Sequence, residues 1–181
     1  MNKPKVAAFL SGVMLFGLAA SLTAAPALPG AGTGTIYAAS AKTSQVSAKQ
    51  MAAVYAQIQA ENAAKVVALV NVERKNAGLK PLVVHTNLSK MAKDKAIDMY
   101  KSNYFSHTSP KYGSPFDMMD AYNITYRYAG ENIAKGQKTP SEVVAAWMNS
   151  PGHKANILNS KYTLIGVGYY NGHWVQEFIG K

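Results

Sequence analysis

Hydrophobic positions in this chain repeat with a helical period over most of its length and switch to a strand period only near the end. Over residues 50–77 the apolar stripe runs through Val66, Leu69 and Val70, with Met51, Val54 and Ile58 extending it toward the N-terminal side. Gly78 stops this helix, and Leu82-Val83-Val84 follows Pro81 as a short extended piece. A second helix is predicted over residues 87–102 with Thr86 as its N-cap. Leu88, Met91, Ala92, Lys95, Ala96 and Met99 share one of its faces, and that face reads as core.

Proline at the first helical position marks three further starts. Ser114-Pro115 opens a short helix carrying Phe116, Met118, Met119 and Tyr122. Thr139-Pro140-Ser141-Glu142 opens another, with a reciprocal capping box between Thr139 and Glu142. Val143, Val144 and Trp147 form its apolar face, and Ser150-Pro151 begins one more turn of helix bearing His153, Ile157 and Leu158. The C-terminal end is a hairpin, 163–170 and 173–179, joined by Asn171-Gly172, a type I′ turn pair. His173, Val175 and Glu177 lie on one face of the last strand; Trp174, Gln176 and Phe178 lie on the other. Apolar groups on both faces call for a sheet covered by helices on both sides. The predicted fold is a three-layer α/β/α sandwich with a mostly antiparallel central sheet.

Ahead of the periodic region the chain changes character. Lys3 and Lys5 precede an uncharged apolar stretch, residues 6–22, and small-residue sites follow at Thr23-Ala24-Ala25, Ala25-Pro26-Ala27 and Ala39-Ser40-Ala41. A membrane anchor would have a similar shape, but the Ala-Pro-Ala ending favours a cleaved export signal. The reading is therefore a signal peptide over 1–27, a linker with the start of the N-terminal helix over 28–60, and one domain over 61–181. The formal net charge is +10, and loss of Lys3 and Lys5 with the leader leaves +8. Such a surface suits an anionic wall polymer, a lipid or a protein ligand. The lysines are scattered and form no nucleic-acid motif, so no nucleic-acid partner is expected. There are no cysteines. An exported domain of this kind must be held by its core alone, and thiol catalysis is excluded.

Candidate chemistry concentrates in three segments. The chain has four histidines and nine acidic residues, so each embedded polar residue is selective. His107 follows Tyr104-Phe105-Ser106, where the aromatic residue is expected to fix the imidazole's direction. Glu131 sits in Gly130-Glu131-Asn132-Ile133-Ala134, as a carboxylate entering a packed region, where an unpaired charge is costly. His153, in Ser150-Pro151-Gly152-His153, lies in the first turn of a helix, which disfavours the imidazolium. Two imidazoles and a carboxylate suit a metal or proton-transfer cluster. His85 and His173 read as structural or solvent-facing. No Gly-x-Ser-x-Gly elbow and no His-Glu-x-x-His helix is present.

In order along the chain, these segments resemble the CAP superfamily of cysteine-rich secretory, antigen 5 and pathogenesis-related proteins, in its bacterial, cysteine-free SCP-domain branch. The resemblance covers about residues 65–181. It includes Asn71-Val72-Glu73-Arg74, Phe105-Ser106-His107, Gly130-Glu131-Asn132-Ile133-Ala134, the run from Trp147 through Ser150-Pro151-Gly152-His153 to Leu158, and Ile165-Gly166-Val167-Gly168. It implies an α/β/α sandwich with a cleft that usually holds two His and two Glu. His107, His153 and Glu131 match three of the four. Ser150 stands where the second Glu usually lies. The resemblance implies a metal site with His107, His153 and Glu131 as ligands for zinc or another divalent cation, and the same three are the catalytic candidates. Binding or signalling is the family's usual description, and lipid or sterol binding and, in some cases, protease activity have been attributed to members. The expectation is a secreted protein, cell-wall associated or extracellular, that binds a ligand in the cleft and is not an integral membrane protein once the leader is removed. A metal-dependent hydrolase and a structural coat or matrix protein are the alternatives.

Mass spectrometry of secreted protein should find a mature N-terminus after one of the small-residue sites between Ala25 and Ala41. An intact Met1 on a membrane-bound product would replace secretion with anchoring.

Overall fold

The computed structural model describes the backbone from residue 33 and side chains from residue 47 to the C-terminus. The leader expected over 1–27 lies outside the described residues. The compact unit described below is Lys42–Lys181.

Helix α1 spans Thr33–Asn76. It takes in residues whose small and polar composition suggested a linker. The difference has a local cause: Pro and Gly end at Gly34, and the Ala-, Ser- and Lys-rich run beyond them has no helix breaker. Only the C-terminal part of the helix meets the core. Val66 and Val70 are fully buried, Leu69 is half-buried, and Met51, Val54 and Ile58 are exposed. The expected apolar stripe thus outruns the surface available to cover it.

Beyond Gly78, whose φ is +72°, β1 (Val83–Val84) leads into α2 (Thr86–Lys101). The N-cap is His85, whose Nδ1 accepts from Leu88 N–H at 3.2 Å, so the cap lies one residue before the expected Thr86. α3 (Pro115–Ala121) starts at Ser114 with a full capping box to Asp117. α4 (Pro140–Met148) starts at Thr139, whose hydroxyl accepts from Glu142 N–H. The predicted reciprocal bond is shifted, since Glu142 accepts from Lys138 N–H at 2.9 Å and not from Thr139. α5 (Pro151–Ile157) follows at once, and then the hairpin β3 (Leu164–Tyr170) and β4 (His173–Gly180). Asn171 and Gly172 both have positive φ, 41° and 77°, as a type I′ turn requires.

One strand went unread in the sequence. β2 (Tyr128–Lys135) pairs antiparallel with β4 along its whole length. The sheet order is β1-β3-β4-β2, with the β1–β3 pair parallel and the other two antiparallel. Every residue of β4 is buried.

Helices cover both faces. Val66, Val70, Val143, Trp147 and Ile157 pack with Val167, Trp174 and Phe178 on one side. On the other, α2 and α3 pack Leu88, Met118 and Met119 against Ile179, and Ala92 and Met99 against Val175. The second contact is very close. A Cβ at Gly166 would strike the α2 backbone at Leu88, and one at Gly168 would strike it at Ala92. On the first side Arg74, 1% exposed, gives its guanidinium to the carbonyls of Lys80 (2.9 Å), Ile157 (2.8 Å), Asn159 (2.9 Å) and Tyr162 (3.3 Å). Asn71 closes a two-way bond with the Leu82 backbone. The Asn71-Val72-Glu73-Arg74 segment is thereby a set of stitches from α1 to the loops beside it.

Trp147→Ala should cost roughly 3–5 kcal/mol in chemical denaturation, as for other buried aromatics. Gly168→Ala, although smaller in volume, should cost at least about 1–3 kcal/mol, because the obstruction is helix backbone. A loss below about 1 kcal/mol in either variant would contradict the packing described.

Candidate functional site

Of the four histidines, two come together. His107 lies in the loop after α2, which is pinned from below. Lys95, on the core face of α2 and 1% exposed, donates from Nζ to the His107 carbonyl at 2.5 Å. Asp98 accepts from the Tyr104 hydroxyl at 2.5 Å, the Ser109 hydroxyl at 2.7 Å and the Ser102 hydroxyl at 3.3 Å. Burial alone would push the Asp98 carboxyl up, but these three bonds outweigh it and hold it below the usual range. The aromatic anchor of the loop is accordingly Tyr104. Phe105, the other aromatic beside His107, is 48% exposed.

Glu131 occupies the middle of β2, and its side chain is 2% exposed. Its Oε1 lies 2.6 Å from His107 Nδ1. A carboxylate oxygen accepts from Nδ1–H, and that tautomer leaves Nε2 as the ring nitrogen with a lone pair for a ligand. The bond to Glu131 raises the His107 pKa against the opposing effect of burial. His153, half-buried in the first turns of α5, is pushed the other way, by burial first and then by the nearby His107. One imidazole is therefore the more basic, and the other is held neutral.

β2 does this with three consecutive residues. Gly130 leaves room for Tyr162, whose hydroxyl a Cβ would strike. Tyr162 donates to the Ala129 carbonyl at 2.9 Å. Glu131 faces the α2 layer and His107. Asn132, fully buried, faces the α5 layer; its Nδ2 donates to the His153 carbonyl at 3.1 Å and to Gln176 Oε1 at 3.0 Å. Asn156 closes the arrangement by donating to Asn132 Oδ1 at 2.9 Å and to the Glu131 carbonyl at 3.2 Å.

Two participants were missed in the sequence. Glu177 is the register partner of Glu131 across β2 and β4, and it is fully buried. Burial, then the charge on Glu131, pushes its carboxyl well above the usual range. Held protonated, Glu177 can donate to Glu131, whose Oε2 has no other partner. Lys95 is the second. Burial lowers its pKa while Glu131, Glu177 and Asp98 oppose the shift. The available signal was the same for both: a charged residue on an otherwise apolar face of a buried element.

The remaining positions stand apart. His85 caps α2, and His173 packs edge-on to Tyr100 at 5.8 Å. Ser150 caps α5 without a side-chain hydrogen bond. Among the described residues no three His or carboxylate groups close on a common point in a metal-binding cluster.

Residues 67–178 match the cysteine-rich secretory protein family, CAP. The chain is 61% identical over 119 residues to the protein YkwD of Bacillus subtilis, a match covering 65% of this chain and 46% of that protein. A solved extracellular protein containing a SCP domain, from Bacillus anthracis, superposes with a TM-score of 0.68 at 34% identity, covering 69% of this chain and 42% of that one. An outer surface protein of Borrelia burgdorferi gives a TM-score of 0.59 at 26% identity, covering 64% of this chain and 89% of that one. The chain thus spans about half the length of the Bacillus relatives. With the family pattern laid over nearly all of the sheet and over both His107 and His153, and with these bacterial SCP-domain structures sharing the fold, the chain belongs to the CAP family.

Proposed function

We propose that this protein is a ligand-binding CAP domain of the cell envelope or extracellular space, whose cleft holds a divalent metal, zinc first, between His107 and His153. The observation that carries the reading is the 2.6 Å bond between His107 Nδ1 and the buried Glu131 carboxylate. A carboxylate behind an imidazole fixes its tautomer and raises its basicity, the usual backing for a metal-binding histidine. Two neutral imidazoles are a donor set that suits zinc. Glu131 then serves as the orienting group, with its Oε1 already engaged, and the remaining positions are left to water or ligand. When bound, the metal would supply Lewis acidity to a ligand's oxygen.

Binding is favoured over hydrolysis by the placement of the acids. A hydrolase needs a carboxylate free to take a proton from water. Glu131 is committed to His107, and Glu177 is sealed beneath it. Ser150, where the family's second Glu usually stands, offers no replacement. An extracellular or surface location is supported by the leader-like N-terminal sequence and by relatives described as an extracellular and an outer surface protein. The excess of lysine and arginine would hold such a protein near anionic wall polymers or lipid headgroups.

Zinc titration by calorimetry tests this. Both His107→Ala and His153→Ala should abolish binding, and Glu131→Gln should weaken it by about 10- to 100-fold. Ser150→Glu should strengthen it. Protons compete for both imidazoles, so affinity must fall with pH. The raised His107 pKa makes its proton compete first as pH drops, and His153 follows at lower pH. Affinity should fall about tenfold per pH unit once His107 protonates and about a hundredfold per unit below both pKa values. A flat profile between about pH 5 and 8 would remove the histidines as ligands. Turnover of a peptide or wall substrate, lost in both histidine variants, would establish the hydrolase.

A further inference from the structure

The sheet edge opposite β2, away from His107 and His153, is only partly paired. β2 forms one edge of the sheet, and β1 with the uncovered part of β3 forms the other. β1 has only two residues, and its pairing with β3 ends at Val84 and Ile165. The carbonyls of Thr163 and Ile165 accept from Val83 N–H at 3.0 Å and His85 N–H at 2.9 Å. Backbone groups alternate sides along a strand in an antiparallel sheet. Val167 and Tyr169 therefore turn their N–H and C=O groups to this same side, past the end of β1. Among the described residues none of these groups has a hydrogen-bond partner there. Val167 is only 4% exposed, and a recessed peptide group left unpaired is unfavourable.

The open edge is the floor of a groove between α1 and α2. A cavity of about 420 Å³ lies over it, walled by Ala60, Ala63 and Val67 on one side and Ser89 and Lys93 on the other. It leads at Gln59 into a second depression of about 460 Å³ beside Tyr170 and Asn171, so the groove follows β3 to its turn. The α1 wall is low because its side chains there are mostly alanine. On the opposite rim Lys90 is paired with Asp94 at 3.1 Å, but Lys93, half-buried, has no ion-pair partner among the described residues.

We propose that this groove binds an extended peptide segment of a partner protein as an added strand along β3, in line with β1. Its apolar side chains would point to the alanine wall of α1, and an acidic residue would meet Lys93. Strand addition is the recognition mode that satisfies an unpaired edge, with the backbone giving affinity and alternate side chains giving specificity. An acyl chain would fill the same volume but would leave the Val167 and Tyr169 peptide groups unpaired. The site is independent of the two histidines, which lie at the β2 edge.

Two fluorescein-labelled octapeptides test the assignment, one alternating Val with Glu and the other Val with Lys. The Val-Glu peptide should bind, at least about tenfold more tightly than its Lys counterpart, and Lys93→Glu should reverse the preference. Ala60→Phe, at an exposed position of the wall, should abolish binding without disturbing the fold. Hydrogen exchange at Val167 and Tyr169 should slow when the peptide binds, and a copy with alternate amides N-methylated to remove the donors should not bind. Failure of both octapeptides to bind at up to about 1 mM would overturn the proposal. So would binding that survives Ala60→Phe. Palmitate or anionic vesicles occupying the groove without protecting those two amides would instead establish an acyl-chain site.

Discussion

The close approach of α2 to β3 sets the rest of the molecule. Gly166 and Gly168 let the helix backbone settle directly on the strand, against Leu88 and Ala92. With the helix axis fixed at those two points, residues one turn further along have no choice of surroundings. Lys95 must lie over the strand pair that carries Glu131 and Glu177, with its ammonium buried. Tyr104 and Ser109, just past the helix, must meet Asp98. The position of His107 is therefore inherited from a contact between two backbones.

A buried ion cluster of this kind survives because its charges are shared out. Asp98 and Glu131 face Lys95, with the Asp98 carboxyl held low by its hydrogen bonds and the Glu177 carboxyl pushed well up by burial. Two carboxylates in direct register disfavour each other's charge in so buried a site. Glu177 is the one sealed off completely, and Glu131 reaches His107 at the surface. Removing one member of such a set leaves an uncompensated charge, which costs far more than replacing the set by apolar groups. The cluster accordingly acts on specificity and placement more than on net stability.

Most of the fold was legible because its helices and hairpin obey local rules. Proline at the first position marked α3, α4 and α5, and Asn171-Gly172 marked the hairpin. Trp147, Leu88 and Phe178 are buried as their periodicity required. β2 was not legible, because Gly130, Glu131 and Asn132 have low strand propensity and are in a strand only because β4 and the two histidine-bearing layers hold them there. His107, Glu131 and His153 stood out through their motifs. Glu177 and Lys95 did not, since a single charge within an apolar pattern reads as noise until its partner is known. The anchor beside His107 was legible only as one of two adjacent aromatics, and the hydrogen bond to Asp98 selects Tyr104.

The two histidines belong to different layers, and the edge strand between them explains how one short segment can serve both. Successive residues of a strand point to opposite faces. Glu131 thus reaches the α2 layer and orients His107, while Asn132 reaches the α5 layer and holds the His153 backbone. Neither contact constrains the other histidine. Their mutual position is set only when both layers are docked on β2. The cleft is then a product of tertiary assembly: an isolated α2 with its loop, or an isolated α4–α5 pair, would carry its histidine without a partner. The same logic accounts for Gly130. Any side chain there would displace Tyr162 and, with it, the strand segment that Asn156 grips through the Glu131 carbonyl. Gly, Glu and Asn are adjacent because each answers a different neighbour at one point of the sheet.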